Sequence, residues 1–405
     1  MPTLSTPELT KLSHTLARAL SIDQVNQLGR DTGQAERLRT VTPHRLFLAV
    51  VATLGSGRVE SLADLLRAFN HQNGATVAYK AFYNRLARAG FATFMQRMLA
   101  RLIDQLRLQT LTPEGHTAVA RFTDIVIQDG SSFALKPTLS AAFPGRFTTI
   151  EPAAVEVHAT YSGFADEVSR IAIAPDAQAE RPFLPDPATL RDRLLLADRG
   201  YPGVDYFEAV AAHGGSFIIR LTRSYDPWVR AAWIDGRRTR VPKGLRLSRL
   251  LARHAGHVVD IDVAFTRGSR LVECRVVARL YRFRWQIELC FKEWKSYANL
   301  HQFDTANAHI AAGLIWASLC AAVLKRFLAH AAQRVGHGTA MSTRRVAMCA
   351  HHILDDLVAA LLVGVGLLCA LRRALSFLLA NARRSNPDRD RRTGRLRARL
   401  LLTTA

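Results

Sequence analysis

Three acidic residues stand where their side chains could meet. Asp129 closes the β-prone run Ile125-Val126-Ile127-Gln128 and precedes Gly130. Asp198 closes the apolar run Leu194–Ala197 and precedes Arg199-Gly200-Tyr201. Glu288 lies within YRFRWQIELCFKEWK, whose pattern predicts a helix from near Arg275 to past Lys295. Acids that follow neighbouring strands converge on one rim of an α/β sheet, and a helix laid across the sheet can add the third. Carboxylate oxygens are the hard donors that Mg²⁺ prefers. Two divalent ions about 3.5–4 Å apart can activate the attacking oxygen and stabilise the departing one in a phosphodiester displacement. Each acid also has an ordinary reading. Asp-Gly makes turns, Asp198 can cap a helix, and Glu288 can pair with Arg284 or Lys292 one helical turn away.

Other chemistries are poorly supplied. There is no Walker-type glycine loop for ATP, no serine elbow and no cysteine–histidine pairing. The segment CAHHILDD, Cys349 to Asp356, has no zinc-ligand spacing and reads as helix. Glu156 and His158 fall in a strand near the proposed site, His158 being expected to pack. Asp124 lies five residues before Asp129, on the opposite strand face, which favours Asp129 as the first acid. Asp166 and Glu167 are expected in a solvated hairpin turn.

The elements that must position the acids follow from periodicity. Residues 1–120 read as helical, with apolar residues recurring at helical spacing in Leu46, Phe47, Val50, Val51 and Leu54. Within them, Ser61 can cap one helix, Asn73-Gly74 marks a turn, and a second helix carries Lys80, Tyr83, Asn84, Arg85 and Arg88. A helix pair with basic and amide groups on its second member suits DNA reading. From about 121 the pattern turns to strands, Ala154–Tyr161, Val168–Ala174, Leu194–Ala197 and Ser216–Leu221, with a helix at Val204–Ala212. Strand, helix and strand in succession imply a mixed α/β sheet. Residues 223–275 form a β-rich insertion, after which helix returns to about 382 and gives way to an Arg-rich tail.

The balance of 55 Lys and Arg against 33 Asp and Glu, a formal charge of +22, calls for an anionic partner. Nucleic acid is the commonest large one. Arginine predominates, and its planar fork suits phosphate. The five cysteines, Cys274, Cys290, Cys320, Cys349 and Cys369, form no CxxC pair and read as buried thiols. The start of the chain has no apolar signal region. The runs Ile310–Leu324 and Leu357–Leu371 are about 15 residues each, against the roughly 20 a bilayer span needs. A cytoplasmic protein with no membrane partner is expected.

Within the Glu288 segment, Tyr281, Arg284, Glu288 and Lys295 share one helical face, while Leu280, Ile287 and Phe291 form a separate apolar stripe. Those four match the Tyr-x2-Arg-x3-Glu-x6-Lys signature of DDE transposases of the insertion sequence 4 group. IQDGSSF resembles the segment around that family's first catalytic Asp, and LLADRGYPG the segment around its second. The resemblance covers roughly residues 40–370. It implies a ribonuclease-H-like mixed sheet with flanking helices, a β-rich insertion before the catalytic Glu, and helical N- and C-terminal regions. The corresponding divisions are 1–120 for DNA binding, 121–335 for catalysis with the insertion at about 223–275, and 336–405 at the C-terminus.

The resemblance further implies Asp129, Asp198 and Glu288 as ligands of two Mg²⁺ or Mn²⁺ ions. Tyr281, Arg284 and Lys295 would contact DNA phosphates, with Arg199 and Tyr201 close by. The expected partners are double-stranded DNA, as terminal inverted repeats and target, and a second copy of the chain on that DNA, in the bacterial nucleoid. The expected reaction is hydrolysis at the element's ends followed by attack of the freed 3′-hydroxyl on target DNA. One departure matters. VECRVVA runs almost directly into RLYRFRW, so the insertion reads as shortened. A shortened, catalytically impaired copy that binds terminal repeats and regulates transposition is therefore the second reading.

Overall fold

The computed structural model describes residues 5–385 apart from 58, 109–118, 202, 221–224, 256, 258, 268–269, 277–283 and 298–303. The Arg-rich tail beyond 385 and the signature's Tyr281 lie outside the described residues.

The N-terminal helices are α1 (Thr6–Ala19), α2 (Ile22–Asp31), α3 (Pro43–Ser56), α4 (Leu62–Asn73), α5 (Tyr79–Leu86) and α6 (Ala89–Gln105). Their boundaries are local chemistry. Thr42 caps α3, whose first turn opens on Pro43. Ser61 and Asp64 form a capping box on α4, and Gly74 closes that helix in the left-handed conformation. The expected helix pair is thus α4 and α5, the second starting at Tyr79.

The sheet follows as β1 (Asp124–Ala134), β2 (Ala154–Ser162), β3 (Glu167–Pro175), β4 (Arg193–Ala197), helix α7 (Val204–Ala212) and β5 (Ser216–Ile219). Its spatial order is β3-β2-β1-β4-β5. β1 runs antiparallel to β2 and parallel to β4, and β4 runs parallel to β5. The sheet is therefore mixed, as expected. Two details differ from the sequence reading. β1 does not end at Gly130 but continues to Ala134, because β2 pairs with it as far as Ala154. β2 is buried along its whole length rather than on alternate residues, since it is an interior strand covered on both faces.

The insertion folds as a second sheet. It contains β6 (Trp228–Ile234), β7 (Arg237–Thr239), α8 (Leu247–Arg253), β8 (Val259–Arg267) and β9 (Arg270–Val276), in the order β7-β6-β8-β9. Val229, Ala232, Leu250, Ile261 and Val263 form its own small core. Helix α9 (Trp285–Tyr297) comes next and starts ten positions later than the expected Arg275. Arg275 belongs to β9, where it pairs with Asp262. The β-prone alternation of Arg270–Val276 is satisfied by β8, and helical spacing takes over only after it.

The chain closes with α10 (Ala308–Val335), α11 (Thr343–Cys349), α12 (Leu354–Val363) and α13 (Leu367–Asn381). At 28 residues α10 is long and apolar enough to cross a membrane, and in this fold it is the central core helix. It packs on α6, α3, α11 and α13. The main core runs without a break from Leu9 in α1, through Ile125 and Val157 of the sheet and Trp294 of α9, to Leu379 in α13. The helical flanks and the sheet therefore share one interior. α10 and α6 approach so closely that a Cβ on Gly313 would lie 2.2 Å from the Phe91 ring. Gly313→Val is expected to lower stability by about 1–3 kcal/mol through overpacking, read as a lower urea midpoint.

Candidate active site

The pairing of β1 with β4 is the first positioning device. Gln128 lies opposite Ala197 in parallel register, so the next residues along, Asp129 and Asp198, leave the pair side by side. Helix α9 crosses β1 and buries Ile287, Cys290, Phe291 and Trp294 against the core. That packing side turns Arg284 and Glu288 toward the end of the β1–β4 pair. Arg284 Nη1 donates to Asp129 Oδ2 at 2.5 Å, and its Nη2 donates to Glu288 Oε1. One guanidinium thus bridges the first and third acids across 155 residues of sequence. The Arg284–Glu288 ion pair foreseen as the ordinary reading does form, but as half of this bridge.

Charge and burial shape the group. Asp129 accepts from the Gly130 amide at 3.0 Å. Burial pushes its carboxyl up to about 6, against the downward pull of Arg284 and that amide, and the nearby charges of Asp198 and Glu288 raise it further. Asp198 and Glu288 are therefore each within electrostatic reach of Asp129. Lys295 is exposed, with its ammonium 5.4 Å from the centre of the Phe133 ring on β1. Arg199 is exposed beside Asp198. Tyr201, expected near DNA, is fully buried, and burial drives its phenol pKa well up. Its ring packs in the interior and presents no face to a duplex.

A second ring of acids, missed in the sequence apart from Glu156, covers the two motif glycines. A Cβ on Gly130 would stand 2.4 Å from Glu156 Oε1, and one on Gly200 would stand 2.1 Å from Glu180 Oε2. Both carboxylates hold Arg146, at 3.2 and 3.6 Å, and Asp176 accepts from the Arg146 amide at 2.9 Å. His158 packs as expected, its ring stacked on Phe183 with centroids 3.7 Å apart. Burial takes its pKa down to about 4. These partners come from separate strands and loops, and no local spacing announces them.

Burial, reinforced by Glu180, pushes Glu156 up to about 7 from an ordinary 4.5. The native fold thus holds this proton more tightly than the unfolded chain does. Its ionisation costs stability that is intact below the unfolded pKa and falls away as pH rises through the folded one. Glu156→Gln, which mimics the neutral acid, is expected to raise the melting temperature by a few degrees at pH 8. At pH 4 the gain should vanish. Thermal melts of both proteins across that range check it.

The donor set suits a hard divalent cation, being made only of carboxylate oxygens, one of them driven up in pKa by burial and acidic neighbours. As they stand, no three His, Cys, Asp or Glu side chains among the described residues are gathered closely enough to grip one ion. Arg284 supplies the positive charge between Asp129 and Glu288.

The fold is that of an α/β protein, a mixed sheet with flanking helices, carrying Asp129 on β1, Asp198 just after β4 and Glu288 on α9. The chain belongs to the transposase DDE domain family, whose model matches residues 120–324. The match takes in Asp129, Asp198 and Glu288 and ends within α10. The chain is also similar to the transposase for insertion sequence element IS1151 of Clostridium perfringens. The two are 20% identical over 359 residues, covering 73% of this chain and 75% of that one. Among solved structures, the cryo-EM piggyBac transposase synaptic complex with hairpin DNA aligns over 90% of this chain and 84% of its own, at 9% identity and a TM-score of 0.41. A likeness that slight carries no inference.

Proposed function

We propose that this transposase cleaves DNA at the ends of its insertion sequence and joins them to target DNA, with Asp129, Asp198 and Glu288 as the reacting carboxylates. The observation that carries the reading is the Arg284 bridge between Asp129 and Glu288, beside a β1–β4 register whose last pair, Gln128 and Ala197, immediately precedes the two Asp residues. Two acids, one from β1 and one from α9, share a single cation, with Asp198 following the neighbouring strand β4. That is the arrangement expected of a site built to hold positive charge against phosphate. We assign the chain to the insertion sequence 4 group by its Tyr281, Arg284, Glu288 and Lys295, and its sheet order β3-β2-β1-β4-β5 supports a ribonuclease-H-like catalytic fold.

Asp129, Asp198 and Glu288 would hold two Mg²⁺ or Mn²⁺ ions. When bound, such ions supply Lewis-acid stabilisation of the charge that develops on the phosphate oxygens. The chain's own residues do the rest. The strand register fixes the distance between the two Asp carboxylates. The apolar packing of α9 holds Glu288 at the rim. Arg284, once released from the acids, can donate its fork to a DNA phosphate. Exposed Arg199 and Lys295 add phosphate contacts, and α5 of the N-terminal helices reads the terminal repeat. A dimer on DNA in the bacterial cytoplasm completes the proposal.

The test is nicking of a labelled duplex carrying the element's own end. Nicking with Mg²⁺ and none in chelator is the expected result. Tight binding of that end by the unmutated chain, with no nicking in either Mg²⁺ or Mn²⁺, would overturn the catalytic reading in favour of a regulatory copy. Phosphate contacts also set the salt response. Binding should fall steeply with salt, and Arg199→Ala should reduce the slope by about one in log–log form. An unchanged slope would remove Arg199 from the interface.

A further inference from the structure

Between β1 and β2 the chain makes a tight turn that carries two large apolar side chains into solvent. Phe147 is 63% exposed and Ile150 is 81% exposed, while Thr148 and Thr149 between them are also exposed. The turn is not a loose loop. The Phe147 carbonyl accepts from the amides of Ile150 at 3.0 Å and Glu151 at 2.8 Å. Its two arms touch, because a Cβ on Gly145 would lie 1.9 Å from the Glu151 carbonyl oxygen. The residue before Phe147 is Arg146, whose side chain is held by Glu156 and Glu180. Those two carboxylates stand over Gly130 and Gly200, next to the candidate catalytic acids. The base of the apolar tip is therefore tied to the rim of the site through the Arg146 side chain.

An exposed aromatic–aliphatic pair on a pre-ordered turn loses hydration free energy for no gain within the chain. Stacked bases offer such a pair an apolar slot. Proteins that kink duplexes commonly push Phe or Ile between base steps, at the expense of unstacking. The tip carries no charge from Phe147 to Ile150, and its two hydroxyls can donate to flanking phosphates. We propose that Phe147 and Ile150 form a wedge that enters the base stack of duplex DNA beside the scissile phosphate. The wedge would unstack a step there, so that the backbone can bend into the acids. This rests on the reading of the site as one that cleaves DNA.

The experiment uses the full chain and short duplexes from the two ends of its element, with 2-aminopurine at successive positions. This base brightens when unstacked. The wild-type protein should brighten the probe several-fold at one or two adjacent positions near the element's end. The double variant Phe147→Ala with Ile150→Ala should bind with little change in Kd and melt as wild type, since both residues are exposed. It should lose that brightening and nick about tenfold more slowly, and Phe147→Trp should restore both. Brightening that persists in the double variant would overturn the wedge. So would loss of a DNA-free dimer in sedimentation with brightening intact, which assigns the tip to a second copy. Brightening without nicking by wild type would remove the cleavage reading and keep the wedge, whereas nicking without brightening would do the reverse. Failure to bind the duplexes at all would sink both.

Discussion

Asp198→Ala should abolish nicking of the element's end, by at least about a thousandfold or about 4 kcal/mol of transition-state stabilisation, while binding of the same duplex changes little. The reasoning is positional. Asp198 follows Ala197, the last β4 residue paired with β1, so its backbone is fixed by the sheet. Removing its carboxylate leaves the strand intact and takes away one of the three acids proposed to act together. Groups that act as a unit lose function almost completely when any one is removed. Asp129→Ala and Glu288→Ala should match it, and Asp129→Ala should also free Arg284 from half of its bridge. Gel assays of cleavage and of binding, run on the same preparations, separate the two quantities. Normal cleavage by the Asp198→Ala protein would remove it from the site.

The second large effect lies away from the reacting groups. Asp166 is fully buried, held by Arg326 through a 2.7 Å ion pair and by His330 at 3.0 Å. Arg326 also donates to the Asp166 carbonyl at 2.6 Å, to the Tyr161 hydroxyl at 3.1 Å and to Cys290 Sγ at 3.1 Å. His330 further reaches Glu167 at 2.8 Å. The cluster ties the β2–β3 turn to α10 and to the helix that carries Glu288. Arg326→Met takes the guanidinium from buried Asp166, leaving it His330 as a charged partner, and should cost about 3–5 kcal/mol, read from urea unfolding. The double change Arg326→Met with Asp166→Asn should recover a large part, because the uncompensated charge is gone. Purely additive losses would contradict this account of the cluster.

That cluster also marks a limit of legibility. Asp166 and Glu167 look like a solvated turn, and Asp166 does take a left-handed backbone, with φ of 59°. Its burial comes from Arg326 and His330, some 160 residues later, on a helix whose sequence reads as apolar core. No local pattern links the two. The elements that carry Asp129, Asp198 and Glu288 were readable for the opposite reason, since each is a strong periodic signal. Apolar strands precede the two Asp residues, and a helix with a distinct packing stripe carries Glu288.

The ends of elements were less legible because pairing decides them. Ser131–Ala134 joins β1 only because β2 lies alongside. The place of Arg284 could not be read either. A cation one helical turn from Glu288 is ordinary, and only the crossing of α9 over β1 brings it to Asp129. Tyr201 had the right motif neighbours for a DNA contact, but its ring turns inward after Gly200.

Mn²⁺ titration of the DNA-free chain, followed by electron paramagnetic resonance, tests most directly whether the three acids form one cation site. Saturable binding should appear in the wild type and be lost or greatly weakened in Asp129→Ala, Asp198→Ala and Glu288→Ala alike, while Asp166→Asn retains it. Equal Mn²⁺ binding in the wild type and all three alanine variants would contradict the shared site.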